Sequence, residues 1–276
     1  MKIKATVLCE NSVFSNLGAA AEHGWAVFLE TDQGNFLFDT GQGLALLNNA
    51  RVFKKDLAGI RGIILSHHHI DHTGGLLSAL SVTGPVDVHS HPDLFKESYL
   101  TRGPKVKYIG IPFAKIALES QGANFVYNTG FKEIVPGMYL TGEVPRQNDF
   151  EIGDLDQVIL SGKEYIKDPL LDDQSLIIET DKGLFVVLGC SHAGIINILN
   201  YAREKTGENR IHTVIGGTHL GPISQEQREK SIVALKEFNI ERIGVSHCTG
   251  LPASMRLAQE YKEKFFFCNV GTVVEG

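Results

Sequence analysis

The sequence predicts an α/β protein built as a four-layer αββα sandwich. Three observations predict it. Apolar runs of strand length, followed by helix-like stretches, recur in both halves of the chain. Histidines sit just past the ends of several of those runs, where open sheets present their functional groups. Candidate ligands spread from position 67 to position 247, so the chain is expected to close on itself as one domain over 1–276.

The elements follow in order. Residues 2–8 read as a strand, and 25–30 with 35–39 as a hairpin about Asp32-Gln33-Gly34. A helical stretch at 44–50 precedes a buried strand at 62–65. A helix is expected over 73–80, with its N-terminus toward the histidines, and a strand over 86–89. The stretch from about 93 to 150 is less regular, rich in Gly, Pro and aromatics (Phe95, Tyr99, Tyr108, Phe113, Phe125, Tyr127, Phe131). It is expected as an insertion with a small core of its own that also walls the site as a lid. In the second half, 175–180 and 184–188 pair across Asp181-Lys182-Gly183. A helix over 195–205 shows Ile195, Ile196, Ile198 and Leu199 on its apolar face. Ser224, with Gln227 three positions on, caps a helix running to about 238. A strand over 241–245, a helix over 251–262 opened by Pro252, and a strand over 265–270 complete the chain.

The run Ser66-His67-His68-His69-Ile70-Asp71-His72-Thr73-Gly74-Gly75 carries most of the chemistry. In an extended segment His67 and His69 project to one side and His68 to the other, because side chains alternate. Asp71 and His72 follow at the turn. Neutral imidazoles and a carboxylate suit zinc and similar borderline metals. Two further histidines lie past strand ends, His192 in Gly189-Cys190-Ser191-His192-Ala193-Gly194 and His247 in Gly244-Val245-Ser246-His247-Cys248-Thr249-Gly250. His89 and His91 repeat the H-x-H spacing without further partners and read as structural or pocket-edge residues. His23 reads first as a core or pocket residue and second as a ligand, and Asp172-Asp173 first as a solvated turn after Asp168-Pro169 and second as residues that order the site.

On Phe38-Asp39-Thr40-Gly41, the H-x-H-x-D-H run, His192, Gly216-Gly217-Thr218-His219-Leu220 and His247, the chain resembles the metallo-β-lactamase superfamily. Glu22-His23-Gly24, Asp172-Asp173-Gln174-Ser175-Leu176 and the G-C-S-H-A-G, G-G-T-H-L and H-C-T-G stretches are similar to its branch of dihydropterin-ribofuranosylaminobenzene-phosphate synthases. The resemblance implies a first metal on His67, His69 and His192, and a second on Asp71, His72 and His247. It implies Asp39 as the anchor of a ligating imidazole. One departure stands out: the stretch 213–220 holds no carboxylate where the superfamily usually places an Asp shared by both metals. His219 is the residue there able to ligate, to act as an acid-base group, or simply to fill space.

Zn²⁺, one or two per chain, is the expected cofactor, with Fe or Mn as alternatives. A metal with three protein ligands keeps a position open for water and lowers its pKa. Metal-activated hydroxide then suits hydrolysis of an ester, lactone or phosphoester, and the branch implies a pterin-ribofuranosyl-phosphate-related substrate. Other readings on the same scaffold are an RNA-processing nuclease, an iron-binding redox protein and a metal-poor binding protein. The net charge of −6 offers no basic surface for nucleic acid. His69 stands where the di-iron branch usually carries Glu. No apolar stretch is long enough to span a bilayer, and Met1-Lys2-Ile3-Lys4 leads directly into a strand rather than a signal peptide. Cys9, Cys190, Cys248 and Cys268 lack a disulfide-framework spacing, which points to a reducing cytoplasm and to buried packing roles. Cys190 and Cys248 lie within two residues of His192 and His247, so a supporting or oxidation-sensitive role is open to both. The expected partner is a small-molecule substrate, with neither nucleic acid nor membrane.

Overall fold

The structure, a computed structural model, describes residues 1–14 and 17–276. Two seven-stranded sheets form its frame. The first runs, edge to edge, Val273–Glu275, Ile3–Cys9, Ala26–Thr31, Gly34–Phe38, Ile60–Ile64, Val86–Ser90 and Ala123–Tyr127. The second runs Phe265–Phe267, Arg242–Ser246, Ile211–Gly217, Gly183–Val187, Leu176–Thr180, Met138–Leu140 and Lys132–Val135. In both, a parallel half joined by helical crossovers abuts an antiparallel half made from hairpins.

Alternation along the strands explains why the sheets stack. In Gly34–Phe38, Phe36 and Phe38 point inward between the sheets, whereas Leu37 points outward to the helices. In Gly183–Val187, Phe185 and Val187 point inward, and Leu184 and Val186 outward. The inner layer gathers Ala5, Val7, Trp25, Val27, Leu140, Ile178 and Ile215 from both sheets. Leu46, Leu76, Leu80 and Leu118 cover the outer face of the first sheet. Ile195, Ile198, Leu199, Ile232, Leu235 and Leu257 cover that of the second. Each buried side chain of this size contributes about 1.5–3 kcal/mol relative to an exposed one, so the three apolar layers dominate the stability. The four-layer sandwich is therefore the observed fold, and among the described residues no helix is long and apolar enough to cross a membrane.

Three sequence expectations are corrected. The helix expected over 73–80 divides into Ile70–Thr73 and Leu76–Thr83. The cause is Gly74-Gly75, which packs on the backbone of the 40–42 loop. A Cβ on Gly74 would come 2.7 Å from the Gln42 carbonyl oxygen, and one on Gly75 would collide with that of Thr40. The irregular stretch 93–150 is not one insertion: Ala123–Tyr127 joins the first sheet, and Lys132–Val135 and Met138–Leu140 join the second. What stands apart is a small sheet of Glu164–Lys167, Gln157–Ser161, Ser98–Leu100 and Lys107–Tyr108, packed through Tyr99, Tyr108 and Tyr165. Short strands interrupted by Gly and Pro carry too little periodicity to assign in advance.

Asp172 and Asp173 supply the third correction. Both are buried rather than solvated. Asp172 Oδ2 accepts from the His68 backbone N–H at 2.8 Å and pairs with His68 Nδ1 at 2.7 Å; Asp172 Oδ1 and Asp168 Oδ1 accept from Lys96 Nζ at 2.6 and 2.8 Å. This buried ion-pair network ties the histidine loop to the small sheet.

Candidate metal centre

The C-terminal ends of six strands meet at one edge of the sandwich. Ile3–Cys9 delivers Glu10 and Asn11, Gly34–Phe38 delivers Asp39, and Ile60–Ile64 delivers the histidine run. Gly183–Val187 delivers Cys190 and His192, Ile211–Gly217 delivers His219, and Arg242–Ser246 delivers His247. Asp39, Ser191, His219 and His247 all take positive φ, at 57°, 64°, 53° and 49°. Such left-handed non-glycine residues cost of order 1–3 kcal/mol each and gather where surrounding structure over-determines them.

His67 and His69 share a side, as the strand period requires, with His67 Nε2 3.0 Å from His69 Nδ1. His68 points oppositely, onto Asp172. His192 joins the first pair, its ring 4.9 Å from His67 and 5.0 Å from His69, centre to centre. One nitrogen from each of His67, His69 and His192 falls within 4.8 Å of the others. Burial pushes His67 and His69 well below the ordinary histidine range, and neighbouring imidazoles add to it. Both rings are therefore neutral, the form that binds metal. The Nε2 atoms of His69 and His192 are buried with no hydrogen-bond partner. Buried polar atoms are ordinarily paired, so His67 Nε2 and His69 Nδ1, facing each other, with the unpartnered His192 Nε2 make a convergent donor set that fits a divalent metal.

Carboxylates and hydroxyls hold the outer nitrogens. His192 Nδ1 faces Asp154 Oδ2 at 3.0 Å, and His72 Nδ1 faces Asp39 Oδ2 at 2.7 Å. Asp39 also accepts from the backbone N–H and hydroxyl of Ser66, both at 2.7 Å, and Ser66 Oγ lies 2.9 Å from His67 Nδ1. Gly189 packs directly on Ser66 Oγ, where a Cβ would collide. Such outer partners fix the ring orientation and leave the other nitrogen facing inward.

Asp71 and His247 also meet, with Asp71 Oδ2 3.1 Å from His247 Nε2. His23 Nε2 lies 3.2 Å from the same oxygen, its side chain 61% exposed at the pocket mouth. His247 Nδ1 faces Asn11 Oδ1 at 2.9 Å, and its backbone N–H donates to Glu10 at 2.8 Å. Burial works to raise Asp71, but hydrogen bonds from His23 and His247 hold it well below the carboxylate range. His72 is set slightly apart, its ring 5.1 Å from that of His247 and its Nε2 3.1 Å from Cys190 Sγ. Burial opposes a charge on His72, yet the Asp39 carboxylate prevails and its pKa is pushed up to about 9. His89 and His91 stay outside the cluster; His91 caps the short helix Pro92–Phe95 and faces Glu143 at 3.2 Å.

Asp154 is the residue that sequence reasoning missed. Besides His192 it meets His219, with Oδ2 2.7 Å from Nε2. Burial would raise its pKa, but both imidazoles hold it well below the carboxylate range. Burial likewise opposes a proton on His219, but the Asp154 carboxylate and Cys248 outweigh it and push the value up to about 10. Nothing in Gly153-Asp154-Leu155 distinguishes this Asp from a loop residue, because its partners are far away in sequence.

The cluster floors a pocket of about 360 Å³. Leu100, Ile109 and Pro222 form apolar walls, and Lys107, on the small sheet, and Arg102, paired with Asp156, add charged groups to the lining.

A model of the metallo-beta-lactamase superfamily matches residues 20–120. The chain is 30% identical over 284 residues to 7,8-dihydropterin-6-methyl-4-(beta-D-ribofuranosyl)-aminobenzene-5'-phosphate synthase of Methanocaldococcus jannaschii, covering 99% of this chain and 96% of the relative. Among solved structures, a metal-dependent hydrolase of the beta-lactamase superfamily superposes with a TM-score of 0.85 at 30% identity, with 99% of each chain covered. Zn(2+)-bound PqqB of Methylobacterium extorquens shares the fold, with a TM-score of 0.56 at 12% identity over 98% of this chain and 99% of that one.

Proposed function

The chain belongs to the metallo-β-lactamase superfamily, and from that premise we propose that it is a metal-dependent hydrolase of a small anionic ester or phosphoester. The observation that carries this reading is the convergence of the buried His67, His69 and His192, with His192 Nε2 unpartnered, beside a pocket that His69 and His192 line. These three residues would hold a first metal, and Asp71, His72 and His247 a second, whose binding would displace the proton that Asp39 otherwise holds on His72. Bound there, zinc or a similar ion would supply a Lewis acid that lowers the pKa of water and polarises the scissile bond.

The chain's own groups do the rest. Asp154 and Asp39 orient His192 and His72. Asp154 favours a proton on His219, which would place a donor for negative charge that develops in the pocket. Arg102 and Lys107 attract an anionic substrate, and Leu100, Ile109 and Pro222 flank its apolar part and exclude water. The curated relative's name describes a dihydropterin joined to a ribofuranosylaminobenzene phosphate. A phosphate-bearing, pterin-related substrate fits this combination of apolar wall and the Lys107 and Arg102 cations.

The full-length similarity to a synthase favours one second reading, in which the same site condenses the two halves of such a product. Both are tested by giving the metal-loaded protein a panel of phosphoesters and lactones and, separately, the pterin and ribofuranosylaminobenzene phosphate halves. Hydrolysis that a chelator abolishes supports the first reading; condensation without hydrolysis replaces it with the second. Under the hydrolytic reading, His219→Gln is expected to lower kcat by about 10²–10³-fold, the cost of losing one positioned donor, with bound metal unchanged. Loss of metal in parallel with kcat would instead make His219 a ligand.

A further inference from the structure

Cys190 is the common member of three clusters. Its Sγ lies within 4.8 Å of a ligating atom of His67 and His72, of His192 and His219, and of His247 and Cys248. No other residue joins so many of the possible donor groups found among the described residues. The side chain is buried, and its close polar neighbour is His72 Nε2 at 3.1 Å. Bond lengths of about 2.3 Å to sulfur and 2.0 Å to nitrogen put two donors of one tetrahedral zinc roughly 3.5 Å apart, a few tenths of an ångström from the spacing present. His192, which shares a cluster with the sulfur, has its Nε2 buried and unpartnered. Gly217, on the strand before His219, lacks the Cβ that would come 2.5 Å from the Gly189 carbonyl oxygen and 2.6 Å from Cys248 Sγ, so the Cys190 and Cys248 loops close on one another here. Residues 213–220 bring no carboxylate to this spot.

We propose that Cys190 binds metal as a thiolate, its sulfur shared between the His67/His69/His192 position and the Asp71/His72/His247 position. This rests on the metal-dependent reading above. On coordination the S–H bond breaks, the proton passes to solvent, and the sulfur electron pair makes the bond to metal, with no change in oxidation state. Metals in paired sites lie about 3.5–4 Å apart, a span that one sulfur at about 2.3 Å from each can bridge. The sulfur thus supplies the shared anion that the strand end at 217 does not. Cys248, whose thiol meets the Cys190 carbonyl oxygen at 3.4 Å, supports the loop.

The test is cobalt(II) titration of the metal-free full chain, comparing wild type, Cys190→Ser, Cys190→Ala and Cys248→Ser by absorption spectrum and cobalt content. Wild type and Cys248→Ser are expected to show a near-ultraviolet sulfur-to-cobalt charge-transfer band beside the visible ligand-field bands. Both Cys190 variants are expected to lose the charge-transfer band and to fall from about two cobalt ions to about one, keeping the His67/His69/His192 position. Ligand-field bands in wild type without the charge-transfer band overturn the proposal and leave the metal-dependent reading standing. A band that survives in the Cys190 variants and vanishes in Cys248→Ser overturns it also. Failure of wild type to take up cobalt sinks the metal-dependent reading and this proposal together.

Discussion

His192→Ala is expected to strip the first metal from the purified protein and to lower turnover by about a thousandfold or more. The magnitude follows from the several kcal/mol that a bound metal contributes to transition-state stabilisation, at 1.36 kcal/mol per decade of rate. Asp154→Asn is the informative companion. It keeps the donor nitrogen of His192 but weakens the anchor on its far side, and loss of such an anchor typically costs about 10–100-fold in affinity or activity. Elemental analysis and steady-state kinetics on the two variants would separate the roles. Equal loss in both would make Asp154 a ligand itself; no loss in His192→Ala would remove that residue from the metal position.

Lys96→Met is expected to have the largest effect on stability. Lys96, its side chain 15% exposed, is the cation between Asp168 and Asp172, whose side chains are 0% and 1% exposed. Removing one partner from a buried ion pair costs about 3–5 kcal/mol, because the carboxylates stay buried without compensation. For a chain of this size that corresponds to a fall of roughly 6–20 °C in melting temperature. His68, and with it the backbone on which His67 and His69 stand, is held by the same Asp172, so the variant should also bind metal more weakly. Calorimetry checks the first effect and cobalt titration the second; an unchanged melting temperature would contradict the role assigned to the network.

The network also sets a pH dependence. Burial would raise Asp172, but His68 and Lys96 hold it well below the carboxylate range. A depressed carboxylate contributes stability that is complete above its unfolded pKa of about 3.9 and is lost as pH falls toward the folded value. Burial would lower Lys96, but Asp172 and Asp168 raise it. A raised lysine contributes stability that is complete below about 10.4 and is lost as pH rises through its folded value. The contribution is therefore a plateau from about pH 5 to 9 with a fall on the acid side below about pH 4, and Asp172→Asn should flatten that fall.

Strand period and strand-end position made part of this site legible in the sequence. Alternation alone places His67 and His69 on one side and His68 on the other, and His192, His219 and His247 each follow an apolar run that a sheet must bury. Asp39, at the end of its strand, meets the imidazole of His72. The surrounding polar partners were not legible. Asp154 sits in an aperiodic loop, and its partners are 38 and 65 positions away, as 192 − 154 and 219 − 154 give. Asp172 bonds His68 across 104 positions, and the Asp-Asp pair reads locally as a turn because nothing nearby reveals Lys96. Such pairings depend on how the small sheet packs over the sandwich, which hydrophobic pattern does not encode. The same holds for Cys190: its neighbours outside its own loop come from three other loops.

In the proposed site His67, His69 and His192 hold a metal. This is tested most directly by anomalous diffraction from crystals of the protein grown with zinc, collected on either side of the zinc absorption edge. A peak at bonding distance from His67 Nε2, His69 Nδ1 and His192 Nε2 is expected. Ordered imidazoles with no anomalous peak among them, in crystals whose protein is saturated with zinc, would contradict it.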